Sequence, residues 1–335
     1  MATQNQTDAT QSEPVQEHRS QFQQFWREFK RNKLSLVGAL IIGLALFAAI
    51  FAPVVAPHDP ATQYEAPDGE RNPLPPGSTV FTETETAELG APVTAYLGTD
   101  NHGRDLLSRM IFGLRTLMVI ALGVIAFGLS IGATIGAVAG YLSDTWIDET
   151  LMRVMDILLS FPSLILAIAI VGTLGVGETD YGWIAVPNLA KIIFVIGISR
   201  VPSFARVMRG AVIKEMEEDY VDAAEALGAG DTHILVRDVL PNTIPIVVVQ
   251  ATLYMATAVL AAAGLSFLGL GLQPPTASLG LILSNARSYI YSGHWWFPLF
   301  PGLVLMIVIL GFNLLGDGLR DALDPRYSEE GANEH

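Results

Sequence analysis

Apolar residues along this chain gather in six long runs separated by polar stretches: Leu34–Ala56, Leu117–Leu142, Ile157–Val176, Ile184–Val201, Ile244–Leu265 and Trp296–Leu315. A helix needs about 20 mostly apolar residues to cross the hydrocarbon core of a bilayer, and each run reaches or approaches that length. One such run would suit a buried helix of a large soluble protein. Six in succession predict an all-α, polytopic membrane bundle of six transmembrane helices. The fourth run is the weakest, because Pro187 and Lys191 interrupt it. Ahead of the second run, "LGTDNHGRDLLSRMIFGLRTL" carries Leu106, Leu107, Met110, Ile111 and Leu114 at helical spacing. That spacing predicts an amphipathic helix at the membrane interface leading into the second span.

Cytoplasmic flanks of membrane spans are enriched in Lys and Arg. With six spans both termini lie on one side; that side holds 13 of the 19 Lys and Arg, from Arg19 in the N-terminal tail to Arg326, and the other side holds 5. Both termini are therefore expected in the cytoplasm of a cell-membrane protein. The first run follows a polar head of 33 residues and is 23 residues long, longer than the roughly 7–15 apolar residues of a secretory signal; it reads as an uncleaved anchor. The chain then divides into a cytoplasmic tail (1–33), a first span (34–56), an extracytoplasmic loop (57–116), a core of five spans (117–318) and a cytoplasmic tail (319–335). The core includes a cytoplasmic loop over 207–241. The 57–116 loop, rich in Pro, Gly, Thr and acids, reads as irregular up to its helical end.

Composition agrees with this picture: 51% of the 335 residues are hydrophobic, 16% are charged and the mean hydropathy is +0.42. The net charge is −14, with acids spread over loops on both sides, which points to a salt-rich setting where repulsion is screened. No nucleic-acid partner is expected. There is no cysteine, which excludes disulfides and thiolate metal sites. No G-x-x-x-x-G-K-[ST], H-E-x-x-H or G-x-S-x-G occurs, and the six His are isolated. The chain therefore offers no phosphate-cradling loop, no metal site and no catalytic residues. Just ahead of the third run, at its inner end, Arg153 and Asp156 are one turn apart and read as a local ion pair. Lys191 reads as snorkelling outward or pairing with Glu178 or Asp180. An ion-coupled secondary transporter would be expected to show inverted repeats, broken helices and a midplane carboxylate, and none is evident.

Two patterns remain. In "GLSIGATIGAVAG", Gly128, Gly132, Gly136 and Gly140 fall four apart on one helical face, which predicts a seam where another helix packs closely. In "DYVDAAEALGAGDTHILVRDVLPN" (219–242), Tyr220, Ala223, Ala224 and Leu227 share a stripe flanked by acids. Gly228 would stop that helix, and Asp231 would cap a second short one running towards Pro241. Together they predict a knob projecting from the membrane, with small side chains suited to docking.

The second segment resembles the E-A-A-x-x-x-G-x9-I-x-L-P signature of ATP-binding-cassette importer permeases, carried here by Asp222, Ala223, Ala224, Gly228, Leu240 and Pro241. Asp222 replaces the Glu and keeps its charge; Asp238 stands where that signature has Ile. "GYLSDTWIDETLMRVMDILLSFPSLILAI", "GLSFLGLGLQPPTASLGLIL" and "FNLLGDGLRDALDPR" resemble the dipeptide/oligopeptide permease subfamily, and the likeness runs from about Phe25 to Arg326. The resemblance implies a type I ABC importer permease fold. It implies as partners a paralogous permease, two cytoplasmic ATP-binding subunits that hold the ATP, and an extracytoplasmic substrate-binding protein, all in membrane lipid. This chain itself would take no cofactor. Its cargo would be di- or oligopeptides, with nickel or another small solute as the alternative. The 219–242 segment would be the coupling helix that docks on an ATPase.

Overall fold

The computed structural model describes residues 26, 29–66, 72–83, 89–180 and 185–323; most of both predicted tails, and Ile184 at the start of the fourth run, lie outside the described residues. Helix α1 (Lys33–Ile50) is capped by Asn32, whose Oδ1 accepts from the Leu34 and Ser35 amides. The same side chain donates from Nδ2 to Asp321 Oδ2 at 3.1 Å, tying the first long helix to the last. A short turn, α2 (Ala52–Val55), follows. The last helix, α12 (Trp296–Leu323), packs on α1 through small residues: a Cβ on Gly38 would lie 2.6 Å from the Leu315 amide nitrogen.

The predicted interfacial helix and second span are one continuous helix, α3 (Leu106–Tyr141, 36 residues), about 54 Å long at 1.5 Å per residue. Asp105 caps it by accepting from the Ser108 amide at 2.9 Å and the Ser108 hydroxyl at 2.6 Å. That bonding starts the helix eleven residues ahead of the apolar run.

The 57–116 loop is more ordered than its composition predicts. Strands β1 (Tyr64–Glu65), β2 (Ser78–Glu83) and β3 (Leu89–Ala95) form an antiparallel sheet in the order β1-β2-β3. It closes over Tyr64, Ala66, Leu74, Val80 and Ala95, scattered residues that make no run in the sequence. A buried ionic hub ties this unit to α3. Arg104 Nε donates to Asp100 Oδ2 at 2.8 Å, Arg109 Nε lies 3.2 Å from the same oxygen, and Arg109 Nη1 donates to the Pro60 carbonyl at 2.8 Å. His58 completes the seam, its amide donating to Ser108 Oγ at 3.0 Å. Burial, and then Asp105 and Asp59, push the Tyr64 phenol up, so it stays protonated. Because Arg109 is wholly buried, Asp100→Asn leaves a buried cation without its counter-charge. The expected cost is about 3 kcal/mol, read as a lower melting temperature and faster protease cleavage between residues 57 and 104.

The third and fourth runs are not straight spans. The third divides into α4 (Trp146–Ser160) and α5 (Ser163–Leu174), bent by 88°. Phe161 precedes Pro162 and adopts φ −91°, ψ 128°, the extended conformation that a following proline favours. The fourth holds α6 (Asn188–Ile198) and ends where α7 (Val201–Met216) begins, at a bend of 46°, with Pro202 in the first turn of α7. The described residues thus hold four helices long and apolar enough to span, or six if each bent pair is one crossing. A two-stranded hairpin, β4 (Thr179–Asp180) with β5 (Ala185–Val186), joins α5 to α6.

Three charged side chains differ from the sequence reading. Asp156 does not rest on Arg153; it accepts from Arg206 Nη2 of α7 at 2.6 Å. Lys191 is buried and donates to the Gly175 carbonyl at 3.1 Å and Thr179 Oγ1 at 2.5 Å, so it closes the base of the hairpin instead of reaching outward. Arg200, counted with the cytoplasmic cations, stands at the α6–α7 bend beside Gly128 and Tyr254, near the middle of the second and fifth runs.

Candidate coupling site

The four-residue glycine spacing of α3 sets where the knob sits. Gly128, Gly132, Gly136 and Gly140 are all buried, and the helix they face is α7 of the same chain. A Cβ would lie 2.9 Å from Arg200 Cβ at Gly128, 2.5 Å from the Val201 carbonyl at Gly132, and 2.8 Å from Val212 Cβ at Gly140; at Gly136 it would overlap the Ala205 carbonyl oxygen. Without side chains at these points the two backbones approach closely, the arrangement that holds helices together in lipid. On the far face, α4 is fixed to α7 by Asp148, whose carboxylate accepts from Arg209 Nε at 2.6 Å and Nη2 at 2.5 Å. This planar two-point pairing joins residues sixty-one positions apart.

Helix α7 ends at Met216 and α8 (Asp219–Ala226) follows after two residues. Asp219 and Asp222 lie in its first turn, where carboxylates oppose the positive end of the helix dipole. Gly228 adopts φ +82° and donates to the Glu225 carbonyl at 2.9 Å, while the Ala229 amide donates to the Ala224 carbonyl at 3.0 Å. This left-handed closure satisfies the terminal carbonyls. The chain then turns through α9 (Asp231–His233) and a π-helical stretch, Ile234–Val239, directly into α10 (Leu240–Phe267). The expected second short helix is therefore the first turns of a long one, and Pro241 stands in the first turn of α10 without ending anything. Gly230, and not Asp231, occupies the cap position, and no side chain bonds there.

The knob is held by apolar feet. Val221, Ile234 and Val239 are buried against Ala137 of α3, Met208 and Val212 of α7 and Val247 of α10, with Ala224 and Leu240 partly buried beside them. The predicted stripe therefore divides: Ala224 turns inward with Val221, while Tyr220, Ala223 and Leu227 face out, Leu227 being 89% exposed. Of the remaining signature residues, Asp222, Gly228 and Pro241 are exposed. A polar clasp closes the base. Tyr220 donates to Glu215 Oε1 at 2.7 Å and accepts from Asn242 Nδ2 at 3.1 Å. Burial, and then the bond to Glu215, push the Tyr220 phenol up and keep it protonated at neutral pH. The three buried feet stand among neighbouring apolar residues, Ile234 with Leu235 and Val236 and Val239 with Leu240, so the sequence did not single them out, and the clasp had no sequence signal.

The site thus presents an exposed leucine and an alanine at the tip of a short helix, ringed by carboxylates and mounted on the ends of three long helices. Among the described residues no group of three or more His, Cys, Asp or Glu could hold a metal ion. The "QPP" turn after α10 is plain: Gln273 Nε2 folds back to the Gly269 and Gly271 carbonyls at 3.0 and 3.2 Å.

A bundle of this make is that of a multi-pass membrane protein, and the chain belongs to the family described as binding-protein-dependent transport system inner membrane component, which matches residues 132–329 and makes it a transport subunit. Residues 20–76 match the N-terminal TM domain of oligopeptide transport permease C. The family is a transport component and not an enzyme. Among curated proteins, the di/tripeptide transport system permease protein DppC of Pseudomonas aeruginosa is 41% identical over 320 residues, covering 95% of this chain and 97% of that one. The glutathione transport system permease protein GsiD of Escherichia coli is 36% identical over 309 residues, covering 92% and 91%. Among solved structures, the MetNI methionine ABC transporter in an inward-facing conformation shares the fold, with a TM-score of 0.52 and 20% identity over 64% of this chain and 97% of that chain.

Proposed function

We propose that this chain is one of two membrane permeases of an ATP-driven importer of di- and oligopeptides, and that α8 with the Gly228 turn is its coupling helix. The observation that supports this is that two separately packed units stand at opposite ends of α3. The three-stranded sheet stands at its N-terminal end and the acid-ringed knob at its C-terminal end. About 54 Å of helix separates them, more than the hydrocarbon thickness of about 30 Å, so they face different compartments. Arg153, Arg206, Arg209, Lys214 and Arg237 lie towards the knob end, which supports a cytoplasmic knob and cytoplasmic termini. The small, apolar tip suits a cleft on an ATP-binding subunit, the sheet suits a peptide-loaded binding protein, and the paralogous permease would complete the path. ATP is held by the partner subunits, whose closure drives the bundle between inward- and outward-open states by rigid-body motion. Peptide cargo is supported by the di/tripeptide and glutathione permeases to which the chain is similar.

The test is uptake of labelled di- to pentapeptides into proteoliposomes that contain this chain, its partner permease, the ATPases and the binding protein. Accumulation that requires internal ATP and loaded binding protein is expected. Peptide accumulation driven by an ion gradient without ATP would overturn the reading; ATP-dependent accumulation of nickel but no peptide would leave the machine and replace the cargo.

A further inference from the structure

Two broken helices point at one place. The α4–α5 break and the α6–α7 break both open on a pocket of about 340 Å³ that is lined by Ser163 at the start of α5, Ser199 and Arg200 at the α6–α7 bend, and Thr257 and Gly264 of α10. Gly128, which sits against Arg200 Cβ, and Tyr254, whose ring lies 5.6 Å from the guanidinium carbon, are both near the middle of long apolar runs. The pocket is therefore at mid-depth in the bilayer. A hydroxyl-lined surface with an arginine is costly against lipid tails at that depth, and such groups face a protein neighbour or a water-filled path. Arg200 Nε is buried with no hydrogen-bond partner among the described residues, and the guanidinium faces the Tyr254 ring.

The start of α5, which lines the same pocket, also favours an anion. The 12-residue helix α5 begins at Ser163 with no side chain capping its first amides, so its positive end is uncompensated. The hydroxyls of Ser199 and Thr257 donate to their own helices, at Ile196 and Tyr254 carbonyls, with lengths of 2.7 and 2.9 Å. What they turn to the pocket are acceptor lone pairs, suited to amide or ammonium hydrogens. Apolar Leu164, Ala167 and Leu260 supply the remaining wall. We infer that this pocket is a waypoint for the transported peptide, in which the Arg200 guanidinium holds a terminal or side-chain carboxylate while Ser199 and Thr257 accept from peptide nitrogen. The inference rests on the peptide reading above. It also gives the helix breaks a purpose, since unwound points at the midplane expose the groups a substrate can use.

The chain has no cysteine, so Ala261→Cys puts a single thiol of this subunit in the pocket wall. In the purified four-subunit complex without binding protein, the introduced thiol is alkylated with a dipeptide bearing an N-terminal chloroacetyl group, either as the free carboxylate or as the C-terminal amide. Expected is labelling roughly tenfold or more faster for the carboxylate, a preference lost in Arg200→Met and kept in Arg200→Lys, which also separates loss of charge from loss of fold. Equal rates for acid and amide overturn the inference even if peptide uptake proceeds as proposed. A preference that survives in Arg200→Met also overturns it. If the peptide reagents show no preference but iodoacetate labels in an Arg200-dependent way, the peptide-end assignment is overturned and a small-anion site stands in its place, while the cargo reading is decided by the uptake assay alone.

Discussion

Gly228→Pro is expected to abolish ATP-driven uptake while the protein still inserts, folds and assembles. The native φ of +82° is closed to proline, whose ring fixes φ near −65°. Proline also removes the amide that donates to the Glu225 carbonyl. The turn must then reopen, and the neighbouring Ala229–Ala224 bond that closes α8 goes with it. Nothing lies within 4 Å of a Cβ at Gly228, so the damage stays in the knob, and the feet at Val221, Ile234 and Val239 remain packed. Displacing the tip of a docking helix removes contacts of the kind that cost about 2 kcal/mol or more at an interface, roughly thirtyfold in affinity. Leu227→Asp tests the same contact with the backbone intact, because an apolar tip that is 89% exposed has no role inside this chain. Both variants are compared with the parent for expression, for peptide-stimulated ATP hydrolysis and for uptake. Normal uptake by either at normal membrane abundance would remove α8 from the coupling role.

Gly136→Leu should have the opposite signature, loss of the folded protein itself. The added side chain meets the Ala205 carbonyl and Met208 Cβ of α7, and backbone cannot yield as the end of a flexible side chain does. Overpacking of this kind costs about 3 kcal/mol or more, and a displaced α7 carries Arg209 away from Asp148, so α4 loses its anchor as well. Gly172→Leu is the matched control, since no atom lies within 4 Å of its Cβ position. Size-exclusion profiles and melting curves of the two variants should separate cleanly. A Gly136→Leu protein as monodisperse and as heat-stable as the parent would mean that α3 and α7 do not rely on close approach.

The architecture was legible wherever a run of one kind of residue persists for twenty positions, because lipid demands that length and composition. The glycine seam was legible through its spacing, although spacing names a face and leaves its partner open; the partner is α7. The first break was signalled by Pro162, yet hydropathy averages over a kink and the third run therefore read as straight; the second lies at Pro202, just past the end of the fourth run, where polar residues hid the continuation of the crossing into α7. Around Gly228 the turn could be read from one glycine, whereas the inward rotation of Ala224 depends on where α3, α7 and α10 end. The outer sheet stayed hidden for a different reason. Its core is Tyr64, Leu74, Val80 and Ala95, single apolar residues at wide intervals that only a folded chain gathers. Long-range charges were equally silent: Arg206 and Arg209 choose Asp156 and Asp148 on a helix some fifty to sixty residues away, and Arg153 at one helical turn loses that competition.

The continuity of α3 has a mechanical consequence. Its N-terminal end is clamped to the segment bearing the sheet by Asp100 and Arg109, and its C-terminal half is locked to α7 along the glycine seam. A stiff rod about 54 Å long that tilts by about 5° carries its far end through about 5 Å. It therefore acts as a lever, with no joint along its length to absorb the stroke. A small rotation imposed at the knob end reaches the sheet end as a displacement the size of a side chain, enough to loosen or tighten a contact made there.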